Sequence, residues 1–175
     1  KNKKRTMARK HLPLFVIIWM VISFLIILWD GAYVMLRPSS MEGGSLEWLF
    51  SPYKIYIQHD TRYANMNDPF VIAQAIVNLF EIAIGVGGLY LHIIGCPKCN
   101  LWAHASLSMT FGKTILYLTL EAAEGWANTW HGNVNDMLLY FLIPTVTWLV
   151  FPLIGMFSTG AALLDNSSEE KTKQD

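Results

Sequence analysis

Four stretches of this sequence stay apolar for long enough to cross a bilayer, which takes about 20 mostly apolar residues. The first covers residues 12–29 without a charge. The second, residues 69–94, is interrupted only by Gln74, Asn78, Glu81 and His92. The third covers residues 101–121, and the fourth residues 137–164 with Pro144 and Pro152 inside it. Proline is tolerated in membrane helices because neighbouring groups satisfy the freed carbonyls, usually at a kink. The pattern predicts an all-α fold: an integral membrane four-helix bundle over residues 12–164, with a long structured loop between helices one and two. That loop, residues 31–67, mixes turn-formers (Pro38, Gly43-Gly44, Pro52) with aromatics (Tyr53, Tyr56, Tyr63). A connection of this length is usually functional or has structure of its own. With Trp48, Phe50, Tyr53 and Ile55 it is expected to lie on the membrane face as a lid. Residues 1–11 read as a basic tail and residues 165–175 as a polar tail expected to be disordered. No internal repeat interrupts this organisation.

Charge sets the orientation. Only 15% of the 175 residues are charged, against about 25% for a soluble domain, and the formal net charge is zero. No basic field is available for nucleic acid, so none is expected as a partner. Of the thirteen Lys and Arg, six precede helix one: Lys1, Lys3, Lys4, Arg5, Arg9 and Lys10. Four spans put these on the same side as Lys98, Lys171 and Lys173, and leave Arg37, Lys54 and Arg62 on the other. The positive-inside rule then places both termini in the cytoplasm. The first apolar stretch is too long for a signal peptide, and Trp29-Asp30 stands where small residues would mark cleavage. The first residue is Lys rather than Met, which implies that further sequence precedes it.

Polar residues inside the spans supply the candidate chemistry, because an ionisable group there costs roughly 2.5–3.5 kcal/mol and is functional by default. Gln74, Asn78 and Glu81 are spaced four and three apart, on one helical face. Lys113, Tyr117, Glu121 and Glu124 share a face of helix three, and Thr145 and Trp148 share one of helix four. Asp30 ends helix one. The aligned stripes imply an interior chamber for a hydrophobic small molecule. The plainer reading is that Asn, Gln and Thr glue the helices together, that Lys113 pairs with Glu121 or Glu81, and that Asp30 and Glu124 are end charges. Glu81 has no cation near it in sequence, so desolvation would favour its protonated form, able to donate a proton. Trp148 and Tyr117 would offer electron-rich faces to a cation. His92, Cys96, Cys99 and His104 carry ligand-type side chains, but their spacing matches no zinc motif and no metal is expected. Cys96 and Cys99 are also too few for a disulfide framework. No nucleotide motif is present, so no redox cofactor is implied.

Several short motifs, in order, resemble the EXPERA superfamily, which includes the emopamil-binding protein (a sterol double-bond isomerase) and the sigma-two receptor. They are Trp29-Asp30-Gly31, Asp60-Thr61-Arg62-Tyr63 with Asp68 following, Leu116-Tyr117-Leu118-Thr119-Leu120-Glu121, His131-Gly132 and Trp148-Leu149-Val150-Phe151-Pro152. The resemblance covers residues 24–156, and the loop pattern is similar to a fungal branch. It implies an endoplasmic reticulum membrane protein, a homodimer, and acids that protonate an alkene while a Trp steadies the cation. Asp30 and Trp148 match two such positions. The helix-one His of the isomerase falls at Ile26, its helix-two Glu at or beside Gln74-Ala75, and its helix-four Asn at Thr145. Glu81 lies closer to the helix-two Glu of the receptor.

The expectation is an isomerase or cyclase acting on a sterol- or terpenoid-like substrate, with catalytic Asp30, Glu81, Glu121 and Asp68. Gln74, Asn78, Tyr117, Glu124, Thr145 and Trp148 would bind the substrate. The alternative is a non-catalytic sterol or amine binder, in which the same acids serve as counter-ions. A trafficking or chaperone-like membrane subunit is a third reading.

Overall fold

A computed structural model of the chain describes residues 11–174, with side chains through Asp165. The basic cluster at residues 1–10 lies outside the described residues. Among those described, all regular structure is helical. Four long helices dominate: α1 (Leu14–Met35), α3 (Pro69–Ile93), α4 (Cys99–Ala123) and α6 (Ile143–Gln174). Two short ones, α2 (Tyr53–His59) and α5 (Val134–Asp136), lie in the connections, and a π-helical turn at Met137–Leu142 leads into α6. The ending expected to be disordered carries α6 on to Gln174.

Local chemistry sets the boundaries. Asp68 caps α3 by accepting from the main-chain N–H groups of Phe70 and Val71 at 2.9 and 3.1 Å, with Pro69 at the first helical position. Both are standard helix-start devices. Gly95, at φ +70°, closes the other end of α3 as Cys96 N–H donates to Leu91 O at 2.9 Å. A left-handed residue there lets the chain turn back to satisfy the last carbonyls. Pro152 sits inside α6.

The helices pack α1 on α3, α3 on α4 and α4 on α6, with a smaller contact between α6 and α1. One apolar cluster joins Val16, Met20 and Phe24 of α1 to Cys99, Ala103 and Leu107 of α4. A second joins Tyr33 and Val34 to Phe50, Tyr53, Val71 and Ala75, and so fastens the 36–68 loop onto α1 and α3. Tyr33 and Tyr53 stack at 3.7 Å. The distribution is inside-out for water: Phe157 is 72% and Leu25 65% exposed, while Glu81, Glu121 and Asn100 show no accessible surface. An apolar exterior of this extent fits an apolar solvent or partner.

Three helical stretches, Leu14–Met35, Pro69–Ile93 and Val134–Asp165, are long and apolar enough to cross a membrane. The third expected span, α4, has 25 residues and hence the length, but Asn100, His104, Lys113, Glu121 and a series of Ser and Thr dilute its hydropathy. On composition alone it does not qualify beside the other three.

Candidate functional site

The helices and the loop line a partly open cavity of about 550 Å³, within the usual range for a small-molecule site, roughly 300–1,000 Å³. Its wall takes Ile26, Ile27, Trp29 and Asp30 from α1, Gln74 and Asn78 from α3, and Lys113, Thr114 and Tyr117 from α4. Pro144, Thr145 and Trp148 of α6 and Leu139–Phe141 of the π-helical turn form the far side, and the loop supplies Pro52, Tyr53, Ile55, Tyr56 and Tyr63. The loop expected to act as a lid therefore forms part of the wall. Trp48 points outward, 75% exposed.

Asp30 is the one carboxylate on this wall among the described residues. Tyr53 OH donates to its Oδ1 at 2.5 Å, and Tyr63 OH to its Oδ2 at 3.3 Å. A second carboxylate stands behind the wall in the same style. Asp60, at the end of α2 and buried, accepts at Oδ2 from Tyr56 OH at 3.1 Å and from Tyr117 OH. Burial pushes the Asp60 carboxyl up to about 6, against the pull of the Tyr117 and Tyr56 hydroxyls; nearby Glu121 adds to the rise. Burial and the adjacent carboxylates likewise raise the Tyr53 and Tyr56 phenols, which stay protonated as donors. Four tyrosines on the wall thus present their hydroxyls, in pairs, to two acids. Tyr56 and Tyr63 meet edge to face at 5.1 Å, and Phe70 stacks on Tyr117 at 5.6 Å.

Six of the ten expected site residues reach the cavity: Asp30, Gln74, Asn78, Tyr117, Thr145 and Trp148. Trp148 is held edge-on by Trp19 at 5.2 Å, and Thr145 Oγ1 donates back to Phe141 O at 2.6 Å. The other four lie off the wall. Glu81, expected as a proton donor, instead pairs through Oε2 with Lys113 Nζ at 2.7 Å, one of the two pairings the plainer reading allowed, and its Oε1 accepts from Thr110 Oγ1 at 2.6 Å. The partner came from another helix, which spacing along α3 does not reveal. Asp68, Glu121 and Glu124, expected to work on a substrate, instead converge on Arg62. Its Nε donates to Glu121 at 2.5 Å, its Nη1 to Asp68 at 3.1 Å, and its Nη2 to Glu124. Asn128 Nδ2 and Thr129 Oγ1 also donate to Glu121, each at 3.2 Å. A buried guanidinium needs its fork filled, because an uncompensated buried charge is strongly destabilising. These three acids meet that need.

Sequence reasoning missed Asp60, Tyr53, Tyr56 and Tyr63 as wall or near-wall groups. The one local signal was the four-residue spacing of Tyr56 and Asp60 in the loop. The two histidines with metal-type side chains have other partners: Nδ1 of His92 accepts from Leu12 N–H at 3.1 Å, and His104 Nδ1 meets Thr159 Oγ1 at 3.0 Å. Among the described residues no group of three or more His, Cys, Asp and Glu gathers to hold a metal ion. No family model, curated protein or solved structure matches the chain.

Proposed function

We propose that this is a multi-pass membrane isomerase or cyclase, in which Asp30 protonates a carbon–carbon double bond of a sterol- or terpenoid-like substrate held in the cavity. The observation that carries the reading is Asp30 itself, the one acid among the described residues on an otherwise largely apolar and aromatic wall, with a phenol on each oxygen. The proton of the Asp30 carboxyl passes to one alkene carbon. The π electrons form the new C–H bond and leave a cation on the neighbouring carbon. Two phenol donors stabilise the carboxylate that remains, because hydrogen bonds to the charged form favour it. The faces of Tyr117 and Trp148 stabilise the cation. Loss of a proton from an adjacent carbon to the Asp30 carboxylate restores the acid and completes an isomerisation; attack by a second alkene before that loss gives a ring.

The motifs of the EXPERA superfamily support the same chemistry, and with them we assign the endoplasmic reticulum membrane and four crossings, α4 being the fourth. Its Lys113 and Glu121 face partners inside the protein, which removes the main objection to a bilayer location. The proton donor differs from the residue spacing alone suggested: Asp30 takes that role, and Glu81 sits in an ion pair.

Membranes containing the protein, incubated with a sterol and terpenoid extract in deuterated water, should incorporate deuterium at carbon. Asp30→Asn should lower the rate by about 10²-fold or more while leaving binding in place. If no deuterium enters carbon and Asp30→Asn instead abolishes capture of a hydrophobic amine, the protein is a binder with Asp30 as counter-ion.

A further inference from the structure

Lys113 is the one cation on the cavity wall among the described residues. Its Nζ forms an ion pair with Glu81 Oε2 at 2.7 Å and donates to Asn78 Oδ1. Glu81 is fixed in turn: Thr110 Oγ1 donates to its Oε1 at 2.6 Å, and Ser106 Oγ to its main-chain oxygen at 3.1 Å. Glu81 has no exposed surface and Lys113 keeps 14%, so the ammonium is the member of the pair that meets the cavity. An ammonium carries three N–H donors and accepts nothing. Asn78 accepts one of them and Glu81 balances the charge as an ion pair, which leaves N–H capacity to be satisfied from the cavity.

We propose that Lys113 anchors a neutral oxygen acceptor on the substrate: a carbonyl, hydroxyl or ether oxygen on an otherwise hydrocarbon molecule. This inference rests on the cavity being the substrate chamber described above, and it adds what the substrate carries besides hydrocarbon. A pure hydrocarbon would leave that capacity unpaired, a penalty that any acceptor removes. An anion fits less well. Glu81 already neutralises Lys113, so no net positive charge is left on the wall to balance a carboxylate. The anchor also fixes register. With the oxygen held on α4, the carbon presented to Asp30 on α1 is set by the substrate's own skeleton, so the position of the oxygen decides which double bond is protonated.

The test is binding of three radiolabelled probes to the purified full chain in detergent: cholestane, cholestanone and cholanic acid. Cholestanone should bind about tenfold or more tighter than cholestane, the value of a hydrogen bond from a charged donor. Cholanic acid should bind no tighter than cholestane. Lys113→Met strands Glu81 and endangers folding, so the decisive variant is Lys113→Met combined with Glu81→Gln. That pair removes both charges and keeps a partner for Thr110. It should bring cholestanone down to the level of cholestane with cholestane binding retained. Equal binding of the two by the unaltered chain, a preference that survives the double variant, or tightest binding of cholanic acid would each overturn the anchor. Asp30→Asn should keep the cholestanone preference and lose deuterium incorporation. Preference without incorporation in the unaltered chain refutes the acid–base reading and leaves the anchor standing; incorporation without preference does the reverse. Binding of none of the three overturns both.

Discussion

Asp60 is buried and accepts two phenols on one oxygen. Burial is the larger influence and raises the group from the usual 3.8 to about 6. The folded state therefore holds a proton that the unfolded chain has released across that interval. Stability from this group is fully present below about pH 3.8 and is lost as pH rises through about 6, because stability falls with pH wherever the native state binds more protons. Thermal unfolding in detergent should show it: relative to Asp60→Asn, the unaltered chain should lose stability between about pH 4 and pH 6. A difference that stays flat over that interval would mean Asp60 does not titrate there. At this scale the sequence was informative where a residue's role depends on its own helix. Asp30 at the end of an apolar span, and Tyr117 and Trp148 on polar faces, were legible for that reason. Tyr53, Tyr56 and Tyr63 were not, since their roles depend on how the 36–68 loop folds back over α1. For Glu81 the sequence offered Lys113 as a partner for it or for Glu121, and only the packing of α3 on α4, with Lys113 32 positions away, decides for Glu81.

Hydropathy and caps fix the bounds of α3 closely, and those of α1 and α6 less so. The second expected span, 69–94, coincides with α3, where Pro69 and the Asp68 cap leave little freedom at the start. Helix α1 runs on past Trp29 to Met35 because Tyr33 and Val34 find an apolar seat beneath the loop. The fourth expected span is divided, with a π-helical turn over Met137–Leu142 before α6 begins. Such turns are rare and gather at functional sites; this one contributes Leu139, Tyr140 and Phe141 to the cavity. Close approach of α3 and α4 depends on Gly88, where a β-carbon would stand 3.0 Å from the main-chain nitrogen of Ala103. Backbone cannot step aside as a side chain can. Gly88→Val should destabilise the protein by about 1–3 kcal/mol, seen as a lowered thermal midpoint in detergent. Gly112→Val, at a helical glycine with open space around it, is the control and should change little. Equal effects at the two positions would show that backbone freedom matters there rather than proximity.

For the whole molecule, the parity of crossings is the property that matters most, and it turns on α4. With α4 across the bilayer the two termini share a side; with only the three strongly apolar stretches across, they lie on opposite sides. Protease protection of tags at each end in sealed microsomes should find both termini cytoplasmic, as the cations of the first ten residues require. Tags on opposite sides would leave α4 outside the bilayer. Hydropathy could not decide this, because a helix lined with Lys113, Glu121 and hydroxyls looks soluble until its partners are known.

Arg62 also bears on how the chain comes together while it is being made. Asp68 lies only six positions further on, but Glu121 and Glu124 lie 59 and 62 positions away. During synthesis the guanidinium emerges long before most of its counter-charge. The 36–68 loop therefore stays incompletely tied until the far end of α4 has left the ribosome, and the cavity wall it forms is finished only then. A chain stopped short of Glu121 would keep Asp68 and the apolar seat of Phe50 and Tyr53 on α1 and α3, but would lack two of the three carboxylates that Arg62 needs.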